Sequence, residues 1–367
     1  MAKLVLGNDK TKVTPAIVVS VGGAAYYIEK STDGNGKLLN GSSIIDLTGI
    51  TDIGYYALHQ SYNKNTNLTG LINLSGLTQI SGEHACYETF SGCTGITSVD
   101  MSNVTTLVNA ATYCCSNMFS SCSNLTSFDL SKLETIFAQG GCSSMFKYDT
   151  SLTSANLSNL KRVITYGDAL DYMFGGCTAL VSADLSSLEE VNGNCANMFN
   201  GCSVLSSVNL SSLRKIPYSA AFSNAFRNCS ALTSLSFPAV DSSAFGSNTS
   251  AFLQMCRGIP DITVHFPNNM QSIISTLSGY SLTAPFSATS GTILFDLPAT
   301  VTLTGADSNT YKRNPKYDTA TSLGWYDTNI GGATPYYTSG TTDPSTSDTI
   351  YSDSACTTSV TTISSIS

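Results

Sequence analysis

One motif recurs along this chain every 25 to 29 residues, and a chain that repeats itself at such a period stacks similar units into an elongated array. A unit in full runs Met118-Phe119-Ser-Ser-Cys122-Ser-Asn-Leu125-Thr-Ser-Phe128-Asp129-Leu130-Ser-Lys-Leu133-Glu-Thr-Ile136. It returns from Met173 to Val191 and from Met198 to Ile216 with the Met-Phe, Cys and Leu positions unchanged. Looser copies place Tyr62, Phe90, Phe146, Phe226 and Leu253 at the Phe119 position, and a half unit from Ile45 to Ile53 precedes them.

Within each unit the Leu-x-x-apolar-x-Leu spacing, as in Leu125, Phe128 and Leu130, is that of a short strand with alternate side chains pointing inward. The Met-Phe-x-x-Cys stretch and the variable residues before it form the return arm. One unit has nothing to cover its apolar side, whereas stacked units share a continuous core. The expected result is a parallel β-ladder along one side of a curved rod.

These units resemble the BspA-type leucine-rich repeats of bacterial surface proteins, in the subgroup reading M-F-x-x-C-x-x-L-x-S-x-D-L-S, over residues 43–268. The resemblance implies a β-rich α/β solenoid, a leucine-rich-repeat array of about eight units, with small β modules at both ends. Family members are mostly adhesins and host-interaction proteins, so it also implies binding, with no ligand named.

The ends break the periodicity. Residues 1–42 hold two β-like runs, Thr14 to Ser20 and Ala25 to Ile28, ahead of a turn at Asp33-Gly-Asn-Gly36, which suggests an N-terminal β cap or docking segment. Residues 269–321 read as a C-terminal cap, with a short helix from Met270 to Leu277 and strands at Gly291 to Pro298 and Ala299 to Gly305. Residues 322–367, with Gly324-Trp325-Tyr326, Pro335-Tyr-Tyr337 and Cys356 in a Ser/Thr-rich setting, read as a small β module.

Charge limits the partners. Charged residues make up 11% of the chain and the net charge is −8, which repels phosphate backbones and anionic headgroups, so no nucleic-acid partner is expected. No apolar run approaches the ~18 residues of a membrane span, so no membrane insertion is expected. Asp9, Lys10 and Lys12 stand where a secretory signal would be apolar, and the expectation is export by lysis or a dedicated machine.

Cys93, Cys122, Cys177, Cys202, Cys229 and Cys256 fall in one column of the repeat, with Asn65 and Asp149 filling it in the remaining units. Cys86, Cys115, Cys142 and Cys195 form a second column seven residues upstream. Such residues serve as small apolar groups with a weak S–H donor, and free structural thiols are expected rather than disulfides. No Cys-x-x-Cys spacing occurs and His84 beside Cys86 lacks further ligands, so neither metal nor cofactor is expected. His59, His84 and His265 lie in separate units, and no nucleophile elbow, Walker loop or His-Glu-x-x-His helix is present. The Glu189-Glu190 pair reads as solvated surface, and the chain is not expected to be an enzyme.

Two sets of residues are candidates for ligand contact. Asp46, Asn73, Asp100, Asp129, Asn156, Asp184 and Asn209 lie between the inward residues of successive strands, and such a row can hold sugar hydroxyls or a cation. Equally, short polar residues suit a tightly stacked ladder and duplication copies them. Tyr87, Tyr113, Phe137, Tyr148, Tyr166, Tyr172 and Tyr218 break the repeat pattern in or beside the arm, as recognition residues do, although some will cap the core. The set taken forward is Asp100, Asp129, Asn156, Asp184, Asn209, Tyr113, Tyr148, Tyr166 and Tyr172.

The opening from Met1 to Pro15, the Asn314 to Thr321 segment and the Tyr351-Ser-Asp-Ser-Ala-Cys356 tail are similar to segments of structural proteins from phages and prophages of gut bacteria. This implies a bacteriophage virion structural protein, a fibre, spike or decoration protein. Its partners would be other virion proteins and a host cell-surface protein or glycan. Many such appendages are trimers, so a homotrimer is compatible with this reading, though nothing in the repeat demands one. The alternative is a cell-surface adhesin of a gut bacterium; a glycan-degrading appendage would need a carboxylate constellation that the sequence does not show.

Overall fold

The computed structural model describes residues 51–54, 58–107, 112–241, 243–245, 250–267, 270, 288–296, 302–313, 319, 322–328, 335–340 and 344–366, and the short strands at 3–4, 17–21, 24–29 and 37–38. The architecture follows from how the return arm uses its amides. In the arm before Cys93, the N–H groups of Ala85, Tyr87, Thr89 and Ser91 donate to carbonyls three residues back. Those of His84, Cys86, Glu88, Phe90 and Gly92 donate instead to Thr112, Cys114, Ser116, Met118 and Ser120 of the next coil, all at 2.7–3.3 Å. Holding both sets requires a left-handed residue at every fourth position, as at His84 (φ 50), Glu88 (φ 50) and Gly92 (φ 74).

An α-helix would have directed every interior amide to the carbonyl four residues back, leaving none to join the coils. The expectation of an α/β solenoid is therefore corrected: no α-helix occurs among the described residues, and the arms are ladders of turns. The expected capping helix from Met270 to Leu277 lies, beyond Met270 itself, outside the described residues.

Two parallel ladders run along the stacked coils. The open ladder comes from the Leu-x-x-apolar-x-Leu stretch in three pieces. These are Gly70–Asn73, Ile96–Asp100 and Ser127–Asp129; then Ser154–Asn156, Ser182–Asp184 and Ser207–Asn209; then Ser234–Ser236, Asp261–Pro267 and Ser290–Asp296. The back ladder joins seven strands in order: Lys3–Leu4, Asp52–Ile53, Gln79–Ile80, Thr106–Leu107, Thr135–Ile136, Arg162–Asp168 and Glu190–Asn194. The described residues thus make about seven turns, against the eight or so units read from the repeat. The last strand of the open ladder, Ser290–Asp296, pairs in parallel with Asp261–Pro267, so the ladder runs one strand past the recognisable repeats.

The core is a stack of rings. Tyr62, Phe90, Phe119, Phe146, Phe174, Phe199 and Phe226 lie face over face, with centroids 5.2–5.8 Å apart and planes within 8°. Stacked coils place identical positions in register, so one aromatic per unit becomes a continuous column. Phe128 of the open ladder adds a ring 4.4 Å from Phe146, over the space left by the small residues Ala155 and Ala183 at its position in the following coils.

Register departs from the repeat reading in the last arm. Phe226 donates to the Met255 carbonyl and Ile259 to the Cys256 carbonyl, as Cys229 does to Phe226. Cys256, not Leu253, thus takes the Phe position, and Ile259 takes the Cys position. The arm is longer here, and aligning cysteine on cysteine conceals the added residues.

At the N-terminal end, Ile17–Val21, Ala24–Glu29 and Lys37–Leu38 form an antiparallel sheet. At the C-terminal end, Thr302–Gly305, Thr310–Arg313, Ser322–Asp327, Pro335–Ser339, Thr349–Tyr351 and Ser359–Ile366 close into a barrel. Leu303, Tyr311, Leu323, Trp325, Ile350 and Ile363 fill it. Its first two strands precede residue 322, where the sequence suggested that the terminal module begins.

Candidate functional site

The acid and amide row is engaged in folding. At Asp100, Asp129, Asn156, Asp184 and Asn209 the side-chain Oδ1 accepts the N–H of the serine two residues on, at 2.9–3.1 Å. This closes an Asx turn that ends the ladder strand and starts the bend towards the next Leu. An amide oxygen does this as well as a carboxylate oxygen, which explains why Asp and Asn alternate in the column. Asp129→Asn is accordingly expected to leave stability within about 0.5 kcal/mol of the parent, whereas Asp129→Ala should cost about 1 kcal/mol. Urea titration measures both, and equal effects would remove the turn-closing role.

Asp129 stands in register with Asp100, and Asn156 with Asp184 and Asn209, but the ladder is interrupted between these two groups. Over Ala155, Ala183 and Val208 the second group edges an open depression of about 510 Å³, with Ser154, Ser182 and Ser207 on its other side.

Tyr113, Tyr148 and Tyr172 lie on another side of the coil, in the arm, and in two places. Tyr113 (φ 52) belongs to a cluster near the N-terminal end, its ring 5.5 Å from His84, which in turn lies 5.3 Å from Tyr87. Tyr87 stacks on His59 at 5.2 Å. Tyr148 (φ 66) and Tyr172 (φ 53) form the other. The Lys147 ammonium lies 5.1 Å from the Tyr148 ring and 4.2 Å from the Tyr172 ring. Tyr148 is 54% exposed, the largest value among the exposed large apolar side chains of the described residues. Tyr166 falls in the strand Arg162–Asp168, its side chain outside the described residues.

Residues the motif reading did not select complete this second surface. Gly176 (φ 76) lies under Tyr148, where any Cβ would come within 2.4 Å of the ring. Asp171 accepts a 3.5 Å hydrogen bond from the Asn197 amide. Burial pushes its carboxyl up to about 6, with Asp168 adding to the rise and the Asn197 bond and Lys147 opposing it. The signal in the sequence was Gly175-Gly176, a bare stretch beside an irregular tyrosine. The eight candidate residues with described side chains thus form separate ladder and arm surfaces rather than one site.

The column cysteines are structural. Cys93, Cys122, Cys177, Cys202 and Cys229 are buried, and each Sγ donates to the carbonyl of the aromatic residue in the preceding coil at 2.9–3.2 Å. Burial pushes the Cys93 thiol up to about 12, so it stays protonated at neutral pH.

Repeats with this register, two parallel ladders and a ring stack point to one family, and the BspA type leucine-rich repeat region matches in six copies over residues 40–167 and 142–277. The chain belongs to the BspA-type leucine-rich-repeat family. Similar solved structures include a leucine-rich-repeat protein of T. pallidum (17% identity, TM-score 0.29), covering 50% of this chain and 72% of that one. A leucine-rich-repeat protein from Bacteroides ovatus (16% identity, TM-score 0.19) covers 78% of this chain and 100% of that one. A TLR13–ssRNA13 complex (13% identity, TM-score 0.21) covers 69% and 50%. No curated protein matches the chain. Within the BspA-type repeat, Asp129, Cys122 and Phe119 are explained by folding, whereas Tyr148, Lys147 and Tyr172 depart from the repeat pattern of the neighbouring units.

Proposed function

We propose that this chain is a non-enzymatic adhesive protein of a bacteriophage virion, a fibre, spike or decoration protein that presents its repeat surface to a host cell-surface protein or glycan. The observation that carries the adhesive part is the exposed Tyr148 on a rigid arm, with Lys147 between it and Tyr172. Aromatic side chains held by a stiff backbone lose little entropy on binding and bury much area, which makes them anchors of contact surfaces. The virion part is supported by the likeness of the terminal segments to phage structural proteins, with a terminal module docking the chain to other virion proteins, as a homotrimer or otherwise.

The second reading, a surface adhesin of a gut bacterium, is favoured by membership of a family whose proteins are often surface adhesins. Both readings use the same surface. Replacing Tyr148 and Tyr172 together by alanine is expected to weaken attachment of the purified protein to host cells roughly 10-fold or more, about 1.4 kcal/mol. Unchanged attachment of a folded double variant would remove the arm surface from the proposal. Mass spectrometry of purified particles, searched for the tryptic peptide from Tyr148 to Lys161, separates the two carriers. Its presence at the stoichiometry of a fibre protein supports the virion, and its recovery only from cells supports the bacterial adhesin.

A further inference from the structure

Asp149 occupies the column in which the neighbouring coils place Cys122 and Cys177. It is wholly buried, and its Oδ1 accepts the Cys122 N–H at 2.8 Å. Its Oδ2 is also buried, with no hydrogen-bond partner. In the equivalent place the thiols of Cys93, Cys122, Cys177, Cys202 and Cys229 each donate to the aromatic carbonyl of the preceding coil; for this coil that carbonyl belongs to Phe119. A carboxylate cannot donate, but a carboxylic acid can.

The same coil is at the first of the two places where the open ladder parts. Ser127–Asp129 and Ser154–Asn156 are not paired, whereas the back ladder passes from Ile136 to Val163 and the arms from Phe119 to Met145 and from Phe146 to Met173 without a break. The coil holding the buried carboxyl thus lacks open-ladder pairing with its predecessor, as does the coil of Ser234–Ser236 further along the chain.

We propose that Asp149 is folded into the solenoid as a neutral carboxylic acid whose hydroxyl donates to the Phe119 carbonyl in place of a thiol, and that releasing this proton to solvent loosens the rod at the ladder interruption. The titratable groups facing it from the adjacent coils are the Cys122 and Cys177 thiols, which carry no positive charge to compensate an anion. Lys147, on its own coil, has its ammonium over the Tyr148 and Tyr172 rings. Burial holds the carboxyl well above the ordinary carboxylate range, only partly opposed by the Cys122 N–H.

The sign follows from the proton count. The folded chain keeps a proton that the unfolded chain has already released, so stability is lost as pH rises from the ordinary carboxylate range towards the raised folded value. In that window the unfolding equilibrium constant rises by up to tenfold per pH unit on account of this one group.

The test is urea unfolding of the full chain across a pH series, for the parent, Asp149→Asn and Asp149→Cys. The neutral amide and the thiol should both abolish the Asp149 contribution, so that each variant gains stability on the parent as pH rises. The cysteine variant restores the column's own residue and keeps the experiment decisive if the asparagine variant does not fold. Hydrogen exchange adds the location: at the alkaline end, the Cys122 amide should exchange faster in the parent than in Asp149→Cys, with Ile216 unchanged. A parent and cysteine variant with the same pH slope would overturn the proposal, as would a difference confined to a pH-independent offset.

Discussion

Replacing Phe174 by alanine is expected to lower the unfolding free energy by about 3–5 kcal/mol, the usual cost of emptying a large buried aromatic site. Phe174 is wholly buried, 5.7 Å from Phe146 on one side and 5.5 Å from Phe199 on the other, with Phe128 at 5.8 Å. In a solenoid, stability comes from each unit and from its two neighbour interfaces, so a hole in a central unit weakens both. Urea unfolding followed by circular dichroism measures the loss. A cost under about 1 kcal/mol would mean that the ring column contributes little to holding the coils together. Tyr148→Ala, at an exposed ring, makes the control and should stay within about 0.5 kcal/mol of neutral.

Replacing Trp325 by alanine is expected to unfold the C-terminal barrel outright. Trp325 is fully buried among few other core side chains, and its indole N–H donates to the Thr338 hydroxyl at 3.0 Å. Its removal costs about 3–5 kcal/mol, and units below about 70–80 residues rarely have more than 3–5 kcal/mol in total. Limited proteolysis reads the outcome: new cuts within residues 302–366 while the repeats stay resistant. A barrel as resistant as the parent's would show that its stability resides elsewhere. Trp325 is also the chain's single tryptophan, so fluorescence follows the barrel in the parent while circular dichroism follows the whole.

Much of the solenoid was legible in the residues because its signals are local and repeated. The inward Leu125, Phe128 and Leu130, the ring column and the cysteine column each recur at one spacing, and repetition multiplies a weak signal. The form of the arm was not legible. Nothing in Met-Phe-x-x-Cys distinguishes a helix from a chain of turns, because the choice rests on amides bonded to a coil some 24 to 29 residues away, such as Phe174 to Met198 or Phe226 to Met255. The register of the last arm was misread for a related reason: cysteine matched cysteine locally, while the coil-to-coil bonds put Cys256 under Phe226.

The candidate surface divides along the same line. Asp100, Asp129, Asn156, Asp184 and Asn209 were found by their column, and the structure assigns each a turn to close, a duty of the ladder itself. Tyr148 and Tyr172 were found because they break the pattern. Their relation to Lys147, to Gly176 and to Asp171 required the stacking of successive coils.

The amino-acid sequence alone determined that this chain is a repeat array of the BspA type, with a column of aromatics, a column of small sulfur-bearing residues and irregular ends. Periodicity suffices for that, since equal spacing can be satisfied only by stacking like on like. The tertiary structure decided that the arms are turn ladders, that a second parallel ladder runs behind the first, and that the terminal strands close into a barrel. It also decided which side chains reach solvent together. Those outcomes depend on hydrogen bonds and contacts between residues a full coil or more apart, and no local spacing records them.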